Sequence, residues 1–192
     1  MGRVARLVAV VVVGALMLAA CQRDEQGPVA PAPKASPEVV NPGTIAAGQE
    51  VGKPKGEVVL TLSGAIGNRN QGKKLALDLA SLERMRTVRM QTSEPFLKRK
   101  VTFEGVLLSD LLAVAGVPAS AKKVYMTALD DYKVDFSLAD VRSSQMLLAT
   151  KADGKHMPVE HSGPIRIVFP DGSRLGRNPD LWIWSVSSMK VA

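Results

Sequence analysis

The chain has 192 residues, a formal net charge of +7 and a single cysteine. The positive excess is moderate, spread along the chain and short of aromatic residues, which counts against nucleic-acid recognition. Hydrophobic residues make up 46%, enough for one ordinary domain with a real core.

The first twenty residues have the shape of an export leader. Arg3 and Arg6 form a short basic start, an apolar run follows from Leu7 to Leu18, and small residues close it. The run is too short to span a bilayer. Leu18-Ala19-Ala20-Cys21 resembles the bacterial lipobox, in which the signal is cut before the cysteine and the cysteine is acylated. The resemblance implies a signal peptide over 1–20, lipidation at Cys21 and a lipid anchor on the periplasmic face of a bacterial envelope. Gln22, not Asp, follows the cysteine, which in lipoprotein sorting favours the outer membrane.

Residues 21–56 read as a tether. Pro28, Pro31, Pro33, Pro37, Pro42 and Pro54 punctuate a stretch of Ala, Gly and balanced charge. Few large side chains are present to offset chain entropy, so the expected state is extended.

Residues 57–192 read as one domain. Val58, Leu60 and Leu62 alternate as a strand, and a turn-rich loop follows over 64–72. A short helix is expected over Leu79–Met85, then strands around Val88–Met90 and Val101–Val106. Ser109 is the expected N-cap of a helix that stops at Gly116 and Pro118. Strands follow at Val124–Ala128 and Tyr132–Phe136, and Ser137 to Asp140 resembles a capping box. Met146–Thr150 is a strand ended by the turn pair Asp153-Gly154. Ile165–Phe169 is a strand ended by Pro170-Asp171-Gly172. Leu181–Val186 reads as a strand with Trp182 and Trp184 on one face. Many short strands with few short helices give an α+β class: a mixed, curled or barrel-like sheet with peripheral helices.

Five segments carry a resemblance in the right order. They are Phe103–Leu112 with Ala115-Gly116-Val117, Ala128–Tyr132, Leu148-Ala149 before Asp153-Gly154, Gly163–Pro170, and Trp182–Val191. Together they resemble the sulfite-oxidase-type molybdopterin-binding domain over roughly residues 57–192. Taken one by one, these residues are mostly structural. Val106, Leu107, Leu111 and Leu112 suit a core, and Gly105 and Gly163 suit backbone turns.

The chain departs from the family where its metal is held. In catalytic members a cysteine thiolate binds molybdenum roughly a dozen residues before the aromatic-x-Gly-Val motif. The matching place here is Thr92-Ser93, and the domain contains no cysteine. A hydroxyl is a far poorer ligand at neutral pH, so the sequence speaks against a molybdopterin cofactor with its metal. What the resemblance then implies is a pterin pocket without molybdenum chemistry. A cysteine-lacking subset of exported relatives binds pterins, and one branch works with a membrane-bound sensor protein, an enzyme that makes or degrades cyclic di-GMP. The alternatives are a molybdopterin-dependent oxidoreductase with a non-cysteine ligand, and a structural lipoprotein with a vestigial pocket.

A pterin wants a flat aromatic or guanidinium face and in-plane polar partners. Trp182 and Trp184 are the only tryptophans and the first candidates for stacking. Arg89, Thr92 and Ser93 lie at the vacated ligand position, His161 precedes Ser162-Gly163, and Arg174 and Arg177 precede the tryptophans. Each has a plain alternative as core, solvated face or paired charge. Lys98-Arg99-Lys100 reads as a solvated basic loop, and Arg166 as a paired structural arginine. His156, Glu160 and His161 do not follow a familiar zinc spacing.

Overall fold

A computed structural model of the chain describes residues 37–192. The expected leader, Cys21 and the first part of the expected tether lie outside the described residues. In chain order the elements are β1 (Glu38–Asn41), β2 (Leu60–Gly64), β3 (Leu75–Leu77), α1 (Leu79–Glu83), β4 (Thr87–Glu94), β5 (Arg99–Leu107), α2 (Leu108–Val114), β6 (Lys123–Ala128), β7 (Lys133–Ser137), α3 (Leu138–Ser143), β8 (Leu147–Ala152), β9 (Lys155–His156), β10 (Arg166–Val168) and β11 (Val186–Val191). Short 3₁₀ turns cover Val159–His161, Leu175–Arg177 and Pro179–Leu181.

The strands form two sheets. One has the order β1-β4-β5-β8-β10, with β9 pairing β8 at its side. The other has the order β3-β2-β11-β6-β7. Only β2 and β11 run parallel among these pairs. Buried residues of both sheets belong to one hydrophobic cluster, including Val88, Phe103 and Ile167 from the first and Leu60, Met126 and Met189 from the second. The barrel-like expectation is therefore corrected: two sheets share a core and neither closes on itself. The helices have only five, seven and six residues, so sheet dominates the α+β description.

Local chemistry explains most boundaries. Asp78 caps α1 by accepting the Ser81 N–H at 2.7 Å. Ser137 Oγ accepts the Asp140 N–H at 3.0 Å, the expected cap of α3. Asp153 and Gly154 both have positive φ, and they join β8 to β9 as a hairpin turn. Gly105 sits where β5 crosses β8 so closely that a Cβ would lie 2.1 Å from the Leu148 carbonyl oxygen.

Three expectations change. The segment assigned to the end of the tether is folded: β1 pairs β4, Ile45 and Val51 are buried, and Asp78 accepts the Lys55 and Gly56 N–H groups at 2.9 and 2.8 Å. The segment's few apolar residues suffice because they fill gaps in a core built by others. The α2 helix begins one residue before Ser109, and its cap residue Leu107 makes no side-chain bond; β5 runs straight into the helix instead. Trp182 to Ser185 form no strand. Ser185 has φ 48°, which breaks the extended run, and pairing starts only at Val186.

Candidate functional site

Strand β4 ends on a charged residue and β10 begins on one. Alternation along β4 buries Val88, Met90, Thr92 and Glu94 and exposes Gln91 and Ser93. All three residues of β10 are buried, so Arg166 must find its partner inside the protein. An Arg166 terminal nitrogen donates to Glu94 Oε1 at 2.8 Å. The other Glu94 oxygen accepts the backbone N–H groups of Phe96 (2.8 Å) and Leu97. One buried carboxylate thus holds both the arginine and the turn between β4 and β5. Burial pulls the Arg166 guanidinium below the ordinary arginine range, and the Glu94 hydrogen bond and charge oppose that shift.

This pair lines a cavity of about 470 Å³. The guanidinium carbon lies 5.5 Å from the Phe103 ring centre and 5.1 Å from that of Trp184. Phe96 meets Trp184 edge to face, with centroids 4.8 Å apart. Arg99, Lys155 and His156 add cationic or titratable groups to the wall, and Glu160 and Asp153 add carboxylates, the latter paired with Arg99 at 3.0 Å. The His161 to Ser162 corner completes it. That corner depends on Gly163, whose added Cβ would stand 1.9 Å from the Met157 carbonyl oxygen.

One atom in this site lacks a partner. Arg166 Nε is buried and has no hydrogen-bond partner among the described residues. A larger cavity, of about 590 Å³, lies between the 48–53 and 67–70 segments, but the orphaned donor does not belong to it.

The structure brings together only some of the expected residues. Trp184 and His161 line the cavity. Trp182 is 5% exposed; its Nε1 donates to the Gly176 carbonyl at 2.9 Å, and its ring packs on Phe169 at 5.5 Å. It stands 6.0 Å from Arg166, so it supports the site from the core side of the fold. Thr92 and Ser93 do not line the cavity. The Thr92 hydroxyl and the Ser93 N–H both donate to Asp171 Oδ1, at 3.0 and 2.8 Å. The Ser93 N–H bond, with Thr92 assisting, holds the Asp171 carboxyl below the usual carboxylate range.

The expected arginines lie elsewhere. Arg89 is on the outer face of β4 and bonds Glu104 and Glu38; the Glu104 bond and the two negative charges raise its affinity for its proton. Arg174 pairs with Asp140 at 2.9 Å, and Arg177 ends a 3₁₀ turn. Neither lines the cavity. Sequence reasoning missed Glu94 and Phe96 and gave Arg166 only a structural role. The available signal was an arginine inside the apolar run Ile165 to Phe169, which needs a buried acid as partner.

A family model described as the oxidoreductase molybdopterin binding domain matches residues 55–176. The chain belongs to this family. Among solved structures, the sulfane dehydrogenase SoxCD from Paracoccus pantotrophus is similar at 21% identity and a TM-score of 0.54, over 69% of this chain and 37% of that one. That likeness concerns the fold, and the chain spans little more than a third of the length of that relative. No curated protein matches the chain.

Family membership reverses one expectation. A molybdopterin is the cofactor class this family is described by, whereas the missing thiolate had argued against it. The site fits the two halves of such a cofactor differently. The organic half meets an orphaned buried donor, two exposed aromatic rings and basic side chains. The metal half meets no thiolate among the described residues, and the Thr92 hydroxyl is committed to Asp171. No group of three or more His, Cys, Asp or Glu side chains among the described residues is set to hold a metal ion.

Proposed function

We propose that the domain binds a molybdopterin-type pterin in the 470 Å³ cavity. The observation that carries this reading is Arg166 Nε, a buried donor without a partner in a domain of molybdopterin-binding type. Leaving such a donor unsatisfied costs on the order of 1–3 kcal/mol, which an acceptor on the ligand would recover once the guanidinium turns towards the cavity. Trp184 and Phe96 offer ring faces and edges to a flat heterocycle, His161 offers a polar ring, and Lys155 suits a phosphate.

Two finer readings share this site. The family and the likeness to a dehydrogenase support a molybdopterin-dependent oxidoreductase, or a subunit of one, in which the metal takes a ligand other than cysteine. The Thr92–Asp171 bond supports a module that binds a reduced pterin without molybdenum chemistry. On that second reading residues 1–20 are a signal peptide, Cys21 carries the lipid and the domain sits in the periplasm, favouring the outer membrane. Its bound state is then presented to a membrane-bound sensor protein, such as a cyclic di-GMP enzyme, by a shift in population.

Elemental analysis of the full chain purified from its own host, beside titration with a reduced pterin followed by tryptophan fluorescence, separates these readings. Stoichiometric molybdenum supports the oxidoreductase. Saturable pterin binding without molybdenum supports the module. Absence of both molybdenum and saturable pterin binding overturns the proposal.

A further inference from the structure

We infer that a second, smaller cavity binds an organic cation of the alkylammonium class. It has a volume of about 270 Å³ and lies on Phe96, Tyr132, Trp182 and Trp184, together with Asp130 and Asp180. Phe96 and Trp184 also line the 470 Å³ cavity, so this edge-to-face pair is a wall common to both.

The walls are aromatic and the only charged residues on them are acidic. That is unusual in this molecule. The chain carries 25 Lys and Arg against 18 Asp and Glu. Most other carboxylates of the domain are paired: Asp110 with Arg86, Glu104 with Arg89, Asp153 with Arg99, Asp135 with Lys123, Glu94 with Arg166 and Asp140 with Arg174. Asp130 has only the Tyr132 N–H, at 3.1 Å, and Asp180 has no side-chain bond among the described residues. Glu57, Asp131 and Glu160 also lack an ion pair among the described residues, but only here do two such carboxylates share a cavity with aromatic rings and no cation.

The aromatic side chains are equally exposed for their type. Phe96, Tyr132 and Trp184 are 47%, 46% and 38% accessible. Their places are fixed: the Tyr132 hydroxyl donates to the Asp180 carbonyl at 2.9 Å, and Phe96 rests on Trp184. A tyrosine is thereby tied across to the turn that carries the second carboxylate. Ring faces attract a cation that is poorly hydrated, and alkylation of an ammonium lowers its hydration. Adjacent carboxylates supply the charge. A phosphate or other anion would meet only like charge here.

The test uses choline and its uncharged isostere 3,3-dimethylbutan-1-ol, each titrated into the full chain and followed by tryptophan fluorescence and calorimetry. Choline is expected to bind saturably, and the isostere at least about tenfold more weakly, since only the charge differs. The double substitution Asp130→Asn, Asp180→Asn is expected to weaken choline by a similar factor and leave the isostere unchanged. Both positions are exposed, so the fold should tolerate them; the comparison on the unaltered protein stands if it does not. Absence of saturable choline binding overturns the inference, as does equal affinity for choline and the isostere, or an unchanged choline affinity in the folded double variant.

Discussion

Glu94 and Arg166 lie 72 positions apart in the chain and 2.8 Å apart in the fold, with side chains 1% and 5% exposed. The carboxylate also holds the Phe96 and Leu97 N–H groups, so the floor of the cavity and its aromatic rim hang on one residue. Removing either member leaves a buried charge without a partner. Glu94→Ala is expected to cost about 3–5 kcal/mol in chemical denaturation. The double variant Glu94→Gln, Arg166→Met should lose less than the sum of its single changes, by more than about 0.5 kcal/mol. Strict additivity would mean the two groups are energetically independent.

The two tryptophans should separate stability from binding. Trp182 is buried against Phe169, so Trp182→Ala is expected to cost about 3–5 kcal/mol. Trp184 is partly exposed and meets Phe96 and Arg166 at the cavity, so Trp184→Ala should cost only about 1 kcal/mol. Pterin affinity should nevertheless fall about tenfold or more in the folded Trp184→Ala protein. Thermal melts beside a ligand titration check both halves.

Asp78 makes a prediction in acid. Burial works to raise its pKa, but the Ser81 side chain and the Gly56, Ser81 and Lys55 N–H groups outweigh it and lower the value from 3.8 to about 2. A folded-state pKa below the unfolded one adds stability above pH 3.8, and that stability disappears as pH falls through about 2. The contribution is about 2 kcal/mol. Urea denaturation between about pH 5 and pH 2 should show the advantage of the native protein over Asp78→Asn shrinking by that amount. A constant difference would place the effect outside the titration of Asp78.

Gly163 and Gly154 make a matched pair. A Cβ at Gly163 would lie 1.9 Å from the Met157 carbonyl oxygen, whereas one at Gly154 meets nothing within 4 Å. Gly154 has φ 78°, so Gly154→Ala costs only local strain, about 1 kcal/mol. Gly163→Ala must move backbone beside His161 and is expected to lose several kcal/mol or fail to accumulate as folded protein. Comparing soluble yield and melting temperature of the two variants is sufficient.

Much of the fold was legible because its signals are local. The Ser137 cap, the Asp153-Gly154 hairpin and the alternation of β4 each follow from a few neighbouring residues. Gly105 and Gly163, both inside the segments that carry the family resemblance, mark contacts at which only a hydrogen fits. β1 was not legible. Its four residues are all exposed, and it is a strand only because β4 offers a partner edge. The Trp182–Ser185 segment alternates like a strand, yet the left-handed turn at Ser185 overrides the pattern. Of the residues named from the chain, Trp184 and His161 line the cavity, while Arg89, named for its place near the vacated ligand position, pairs with Glu38 and Glu104 on the outer face of β4.

The sequence by itself determined that this is a sheet-rich domain of molybdopterin-binding type with no cysteine between residues 22 and 192. Those are properties of residue type and order, which no folding can change. Tertiary structure alone decided which charges are used up and which remain. It paired Arg89 and Arg174 with surface acids, tied Thr92 to Asp171, and left Arg166 Nε as a buried donor beside Trp184. The reason is that availability depends on the nearest partner in space, and the decisive partners here are 15 to 79 residues away in the chain.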